Sequence, residues 1–248
     1  MRAKPIQHLN TGYAGVGYNP VIASQAGSQI QLYSMRTINE SGSSSDMAIL
    51  QTLSTNAVTV YTYTPPSTIT NVTASLLAGS NVALFNATAG SGIIIESMKK
   101  IQGFLVNVSV NQAGANTFAI SYSTGSAFSS VLQVLNVPAT FNGAPNGQFA
   151  VLFSPGNDYA AGCGLTGTDS SKFQIRFTAV SAGSTCSINA LRAAIAVSYS
   201  PSVASNSALE SVFSEQYPLL LESGESIVPF FETASNNNKV IAFYQYQN

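Results

Sequence analysis

The stretch IQGFLVNVSVNQAGANTFAISYS, residues 101–123, alternates apolar and polar side chains on either side of a Gly-containing turn. Successive strand side chains point to opposite faces, so the pattern predicts a β-hairpin with one buried face. Its outward positions are Asn107, Ser109, Thr117, Ser121 and Ser123. Exposed strands ordinarily place Lys or Glu at such positions, which keeps their edges from pairing with foreign strands. None occurs here.

The neutrality extends far beyond these residues. No charged side chain lies between Met47 and Ile95, and none between Ile101 and Asn157, so only Glu96, Lys99 and Lys100 interrupt a span of more than a hundred residues. Charged residues make up 8% of the 248, against about 25% in an average soluble chain. Nine basic and ten acidic residues nearly cancel. That leaves no positive footprint of the kind that neutralises phosphates, and no nucleic-acid partner is expected. The neutral segments are rich in Val, Ile, Phe and Tyr, which argues against disorder. No apolar run approaches the roughly 18 residues of a membrane span, and no membrane partner is expected. The opening MRAKPIQHLNTGYAGVGYNP has no continuous apolar core of a secretion signal, so synthesis in the cytoplasm is expected. Asn-x-Ser/Thr sequons at Asn39, Asn71, Asn86 and Asn107 are then chance products of an Asn-, Ser- and Thr-rich chain.

Runs of β-branched and aromatic residues recur between Gly, Pro, Asn and Ser clusters. They predict strands over 29–38, 57–63, 68–76, 81–86, 101–110, 117–122, 129–137 and 148–153, and later over 172–180, 187–199, 226–232 and 239–246. So many short strands at close spacing predict an all-β fold: an antiparallel β-sandwich or jelly roll, built as one sandwich or as two packed sandwiches. SINALRAAIAVSY has a helical middle but a β-branched, aromatic end, and it is assigned to a strand. SNSALESVFSEQY, residues 205–217, is the best helix candidate, with Ser207 and Glu210 spaced as a capping box. Residues 1–27, with six Gly and Pro, read as an extended N-terminal arm. Residues 28–200 form the expected sandwich core, with a possible subdivision near 97–100. Residues 201–248 form an acidic segment with the short helix and closing strands: Glu210, Glu215, Glu222, Glu225 and Glu232 face a single base, Lys239.

Chemistry-bearing motifs are sparse. GCGLTG, Gly162–Gly167, matches G-x-G-x-x-G, but a turn and a strand follow it rather than the helix whose N-terminus would meet a pyrophosphate. Ser97 and Lys100 have a nucleophile–base spacing without the remaining partners of such enzymes. His8, the single histidine, lies on the arm, where no rigid neighbours would orient an imidazole. Two cysteines, Cys163 and Cys186, and one histidine cannot close a zinc site. The two cysteines are expected to be free thiols in a cytoplasmically made chain. The C-terminal glutamates lack the dense Asp/Asn/Gly loop of a calcium site, and nothing positions Asp158 and Asp169 as a glycosidase pair. The sequence therefore predicts no enzyme, cofactor or metal. With eleven Tyr and no Trp, any sugar-stacking platform would use tyrosine.

A sheet protein with so few charges has weak protection against edge pairing, and a permanent assembly would resolve this by burying its neutral faces. Arg2 and Lys4 on the arm could attract Glu210, Glu215, Glu222 and Glu225 of a neighbouring subunit. Trp-free, nearly chargeless, small-residue-rich β chains such as NTFAISYSTGSAFSSVLQVLNVPATFNG resemble structural proteins of tailed bacteriophage virions: capsid decoration proteins, head fibres and tail adaptors or fibres. The resemblance implies a non-enzymatic jelly-roll or Ig-like homo-oligomer, often a trimer, located on the virion. Its partners would be copies of itself and the major capsid or tail proteins. The alternative is a receptor-binding adhesin that recognises host-surface glycans.

Overall fold

The computed structural model describes residues 7–12, 20–25, 27–145, 147–213, 217–232 and 238–247. In chain order the strands are β1 Gln7–Gly12, β2 Ile22–Ala23, β3 Gln29–Asn39, β4 Ser45–Thr52, β5 Val58–Thr64, β6 Thr68–Asn71, β7 Val82–Phe85, β8 Gly92–Ser97, β9 Gly103–Ala113 and β10 Phe118–Ser123. There follow β11 Phe128–Ser130, β12 Gln133–Asn136, β13 Gly147–Ser154, β14 Phe173–Ala179, β15 Thr185–Val203, β16 Ser207–Val212, β17 Leu219–Leu221, β18 Ser226–Phe231 and β19 Lys239–Gln247. The fold is an all-β sandwich architecture. One short α-helix occurs among the described residues, α1 Thr73–Leu77, where the sequence predicts a continuation of the strand begun at Thr68.

The chain divides after Ser54 and after Ala194, rather than near 97–100. Thr55–Ala194 form one compact unit, and Met1–Ser54 with Ile195–Asn248 form the other.

In the inner unit, 55–194, one sheet has the order β11-β10-β14-β8-β5-β6. The other runs β12-β13-β9-β15, with β7 also paired to β15. Counting eight strands as β7 to β11 and β13 to β15, the first pairs with the eighth, the second with the seventh, the third with the sixth and the fourth with the fifth, all antiparallel. The pairing is that of a long hairpin rolled up on itself. Its two sheets face each other through aromatic rings. Phe104 of β9 meets Phe177 of β14 at 5.4 Å between centroids, Phe85 of β7 meets Phe118 of β10 at 5.5 Å, and Phe141 packs edge-on against Phe85, Phe118, Phe149 and Phe177.

The rolled order corrects the hairpin expected at 101–123. β9 pairs with β13 and β15, whereas β10 pairs with β14 and β11, so the turn at 114–117 crosses between sheets. Alternation fixes which face is buried; it does not name the strand alongside. Nor are Ser121 and Ser123 outward and wet, for both are buried. The outer face of the six-stranded sheet carries a second apolar cluster, in which Tyr61, Tyr63 and Ile94 pack with Ile69, Phe128 and Leu165. β8 is therefore buried on both faces. The segment predicted as one strand over 129–137 is split into β11 and β12, one in each sheet.

In the outer unit, 1–54 and 195–248, one sheet has the order β1-β19-β3-β16, with β17 also on β3. β4 lies between β15 and β18 in the facing sheet, and β2 pairs with β18. Ile30, Leu32 and Met35 of β3, Val240 and Ala242 of β19, Met47 and Ile49 of β4 and Ile227 and Phe231 of β18 meet in one buried cluster. The helix predicted at 205–217 is absent from its described part, where β16 runs along the edge of β3. Leu209 packs inward while Ala208, Glu210 and Val212 alternate with it, and the free edge of β3 supplies the hydrogen bonds that a helix would have made internally. Within the predicted arm, β1 closes one sheet against β19 and β2 extends the other along β18.

Candidate interaction surfaces

Charge is placed at one end of the inner unit. Of its eight charged residues, Glu96, Lys99, Lys100, Asp158, Asp169 and Lys172 lie on loops or strand ends where the chain enters at Thr55 and leaves at Ala194. Arg176 and Arg192 sit further along their strands. The opposite end is formed by the turns 65–67, 86–91, 114–117, 137–145 and 180–184, which hold no charged residue.

Three of those turns, 86–91, 114–117 and 180–184, are tied to one another, and 137–145 is tied to β9. Gly90 N–H donates to Ala179 O (2.7 Å), Gly183 N–H to Ala87 O (2.8 Å), and Asn116 exchanges two side-chain bonds with the Ser181 backbone (2.9 and 3.0 Å). Asn111 Oδ1 accepts from Gly143 and Ala144 N–H, both at 2.7 Å. A firm, uncharged surface of amides, hydroxyls and methyls loses little hydration energy on being covered, far less than a surface of ions would.

At the charged end Glu96 is fully buried. Its carboxylate accepts from Tyr61 Oη at 3.0 Å, Asp169 N–H at 2.7 Å and Gln174 Nε2 at 3.4 Å, joining β5, β8, β14 and the loop before β14. Burial, and next the Glu96 charge, push the Tyr61 phenol up to about 12 from its ordinary 10.0. Burial alone pushes Cys186 up to about 12 from 9.0. Both groups hold their protons more tightly when folded than when unfolded. The unfolded chain therefore binds fewer protons above about pH 9, and stability falls as pH rises toward about 12. Urea midpoints measured across this range should drop more steeply for the wild type than for Tyr61→Phe. Equal slopes would refute the assignment.

The sequence motifs resolve into loop and core contacts. Gly164 has φ +70, and a Cβ there would collide with Ser126 O, so the GCGLTG glycines serve close packing of one loop on another. Strand β14 follows them, not a helix. Ser97 Oγ is buried and accepts from Lys99 N–H, while Lys100 Nζ lies 5.6 Å from the ring centroids of both Tyr159 and Phe173. Asp158 accepts from Tyr122 Oη at 2.6 Å. Hydrogen bonds from the Ser171 side chain and backbone, and then Lys172, hold the Asp169 carboxyl below its usual range. His8 lies on β1, and its side chain is outside the described residues. Cys163 and Cys186 are both buried free thiols. Alkylation by iodoacetamide should require denaturant at both positions, and labelling of the native chain would contradict their burial. Among the described residues no cluster of three His, Cys, Asp or Glu could hold a metal ion, and no helix is long and apolar enough to cross a membrane.

Of the residues expected between subunits, Arg2, Lys4 and Glu215 lie outside the described residues. Glu222 is exposed in the turn after β17. Glu225 is not a surface group: it is 2% exposed, and its carboxylate accepts from Gln51 Nε2 at 2.7 Å and Glu222 N–H at 2.9 Å, closing the turn before β18. Glu210 is exposed on β16, on the outward face of the five-stranded sheet. There Phe243, Ser34 and Val212 form one cross-strand row, and Gln245, Gln31 and Leu220 form another. Val212 is 71% exposed, Leu220 46% and Phe243 43%. The sequence did not disclose this face, because reading 205–217 as a helix hid the alternation that aims Val212 and Glu210 outward.

No family model matches the chain, and no curated protein or solved structure matches it significantly.

Proposed function

We propose that the chain is a non-enzymatic structural protein of a virus particle, one that associates with copies of itself and binds the capsid or tail shell. The observation that carries this reading is the charge-free set of turns at one end of the inner unit, three of them bonded to one another, a surface suited to permanent cover. Supporting it, we read the pairing first-to-eighth through fourth-to-fifth, with β5, β6 and β12 as additions at the sheet edges, as jelly-roll-like, an architecture common to viral capsid domains and to lectins. That support is an analogy of fold, and site chemistry must choose between the two uses. Glycan recognition is the weaker choice at this end. Phe141, the one aromatic residue on those turns, is buried, so no ring is offered for a sugar to stack on.

Quantitative mass spectrometry of purified particles from the chain's native system tests the proposal. A fixed copy number relative to the major shell protein, kept through a salt wash, is expected. Absence of the chain from particles would overturn it.

A further inference from the structure

On the outward face of the five-stranded sheet, Arg36 of β3 and Glu210 of β16 stand directly opposite each other in register. Both side chains are exposed, and no ion pair or hydrogen bond joins either to another described residue. Beside them lies the row of Phe243, Ser34 and Val212, with its large exposed apolar groups, and then the amides Gln31 and Gln245, bridged by Tyr33 Oη at 2.9 Å to each. This is the anatomy of a protein interface: an apolar middle with charged and hydrogen-bonding groups at its margin.

We propose that this face is where two copies of the chain meet, about a two-fold axis that lies in the face and runs along the strands between β3 and β16. In a two-fold contact, if residue i touches residue j, then j touches i. The axis sets Arg36 of each copy against Glu210 of the other, giving two reciprocal ion pairs. It also sets Val212 against Ser34 and Leu220 against Gln31, since these share cross-strand rows. The occupant is a second copy because acid and base stand side by side in one row. The face has no net charge to attract a partner of one sign, yet after rotation it meets its own complement. Amides donate and accept equally, so Gln31 and its neighbours impose no penalty on an identical face. Covering the pairs with Val212 and Leu220 lowers the local dielectric and strengthens an attraction that is weak in water. The inference rests on the self-associating reading above and names the face that such association uses.

Sedimentation velocity on the full chain tests it, with Arg36→Glu, Glu210→Arg, the double swap and Val212→Lys. Each single reversal is expected to weaken self-association about tenfold or more, with the double swap returning it close to wild type. Val212→Lys should abolish it. These positions are exposed, so far-ultraviolet circular dichroism and urea midpoints should be unchanged. If a reversal does not fold, Arg36→Gln and Glu210→Gln replace it, each expected to weaken association. A wild-type oligomer indifferent to all these changes would overturn the face while leaving the assembly reading intact. Single losses without rescue by the swap would overturn the reciprocal pairing. A wild-type chain monomeric at every concentration would overturn both the face and self-association. A monomer that binds particles, and ceases to with Val212→Lys, would overturn the second copy as occupant in favour of another virion protein.

Discussion

Glu96→Ala is expected to lower stability by about 2–4 kcal/mol, because the buried carboxylate is the shared acceptor of three neutral donors. The alanine leaves Tyr61 Oη, the Asp169 N–H and one arm of Gln174 without their acceptor in a dry site. Stranding a buried donor costs about 1–3 kcal/mol each, partly relieved where water enters. Glu96→Gln retains an acceptor oxygen and should cost roughly half as much. The double variant Glu96→Leu with Tyr61→Phe removes donor and acceptor together, and it should be less destabilised than the two single changes added, because the residues are in contact. Urea unfolding followed by circular dichroism reads all of these. A loss below about 1 kcal/mol for Glu96→Ala would mean that the carboxylate does not hold the loop to the sheet.

Glu96 also shows where the sequence stops speaking. It stands in SMKK's company as part of the one charged joint in a neutral span, and such a joint reads as surface. Its burial depends on Tyr61, 35 residues earlier, and on a backbone N–H 73 residues later. No local pattern encodes those contacts. The all-β class was legible because β3, β9, β14 and β19 carry β-branched and aromatic runs between turn residues. β4 and β8 were not, since MAIL and GIII are buried on both faces and so lack alternation. The hairpin expected at 101–123 failed for a related reason: which strand pairs with which is decided by the rolled order, in which β9 and β10 find later partners. Of the expected contact residues, Glu210 is at a surface, while Glu225 was misplaced because its role as a turn acceptor depends on Gln51, 174 residues away.

Phe177→Ala is expected to cost about as much as any single change in the inner unit, roughly 3–5 kcal/mol. The ring is fully buried and lies between both sheets, 5.4 Å from Phe104, 5.1 Å from Phe118 and 6.0 Å from Phe141. Truncation removes the transfer energy of the side chain and leaves a cavity walled by three rings, each held by the others and thus slow to collapse. Aromatic pairs contribute about 0.5–1.5 kcal/mol beyond their buried area, so Phe104→Ala and Phe177→Ala should couple by about that amount in a double-mutant cycle. Phe177→Leu refills most of the volume and should cost no more than about 1.5 kcal/mol. Because the chain has no Trp, near-ultraviolet circular dichroism of the Tyr and Phe bands is the suitable probe. A cost below about 1.5 kcal/mol for the alanine, or a leucine as harmful as the alanine, would show that the two sheets are not held together through this ring.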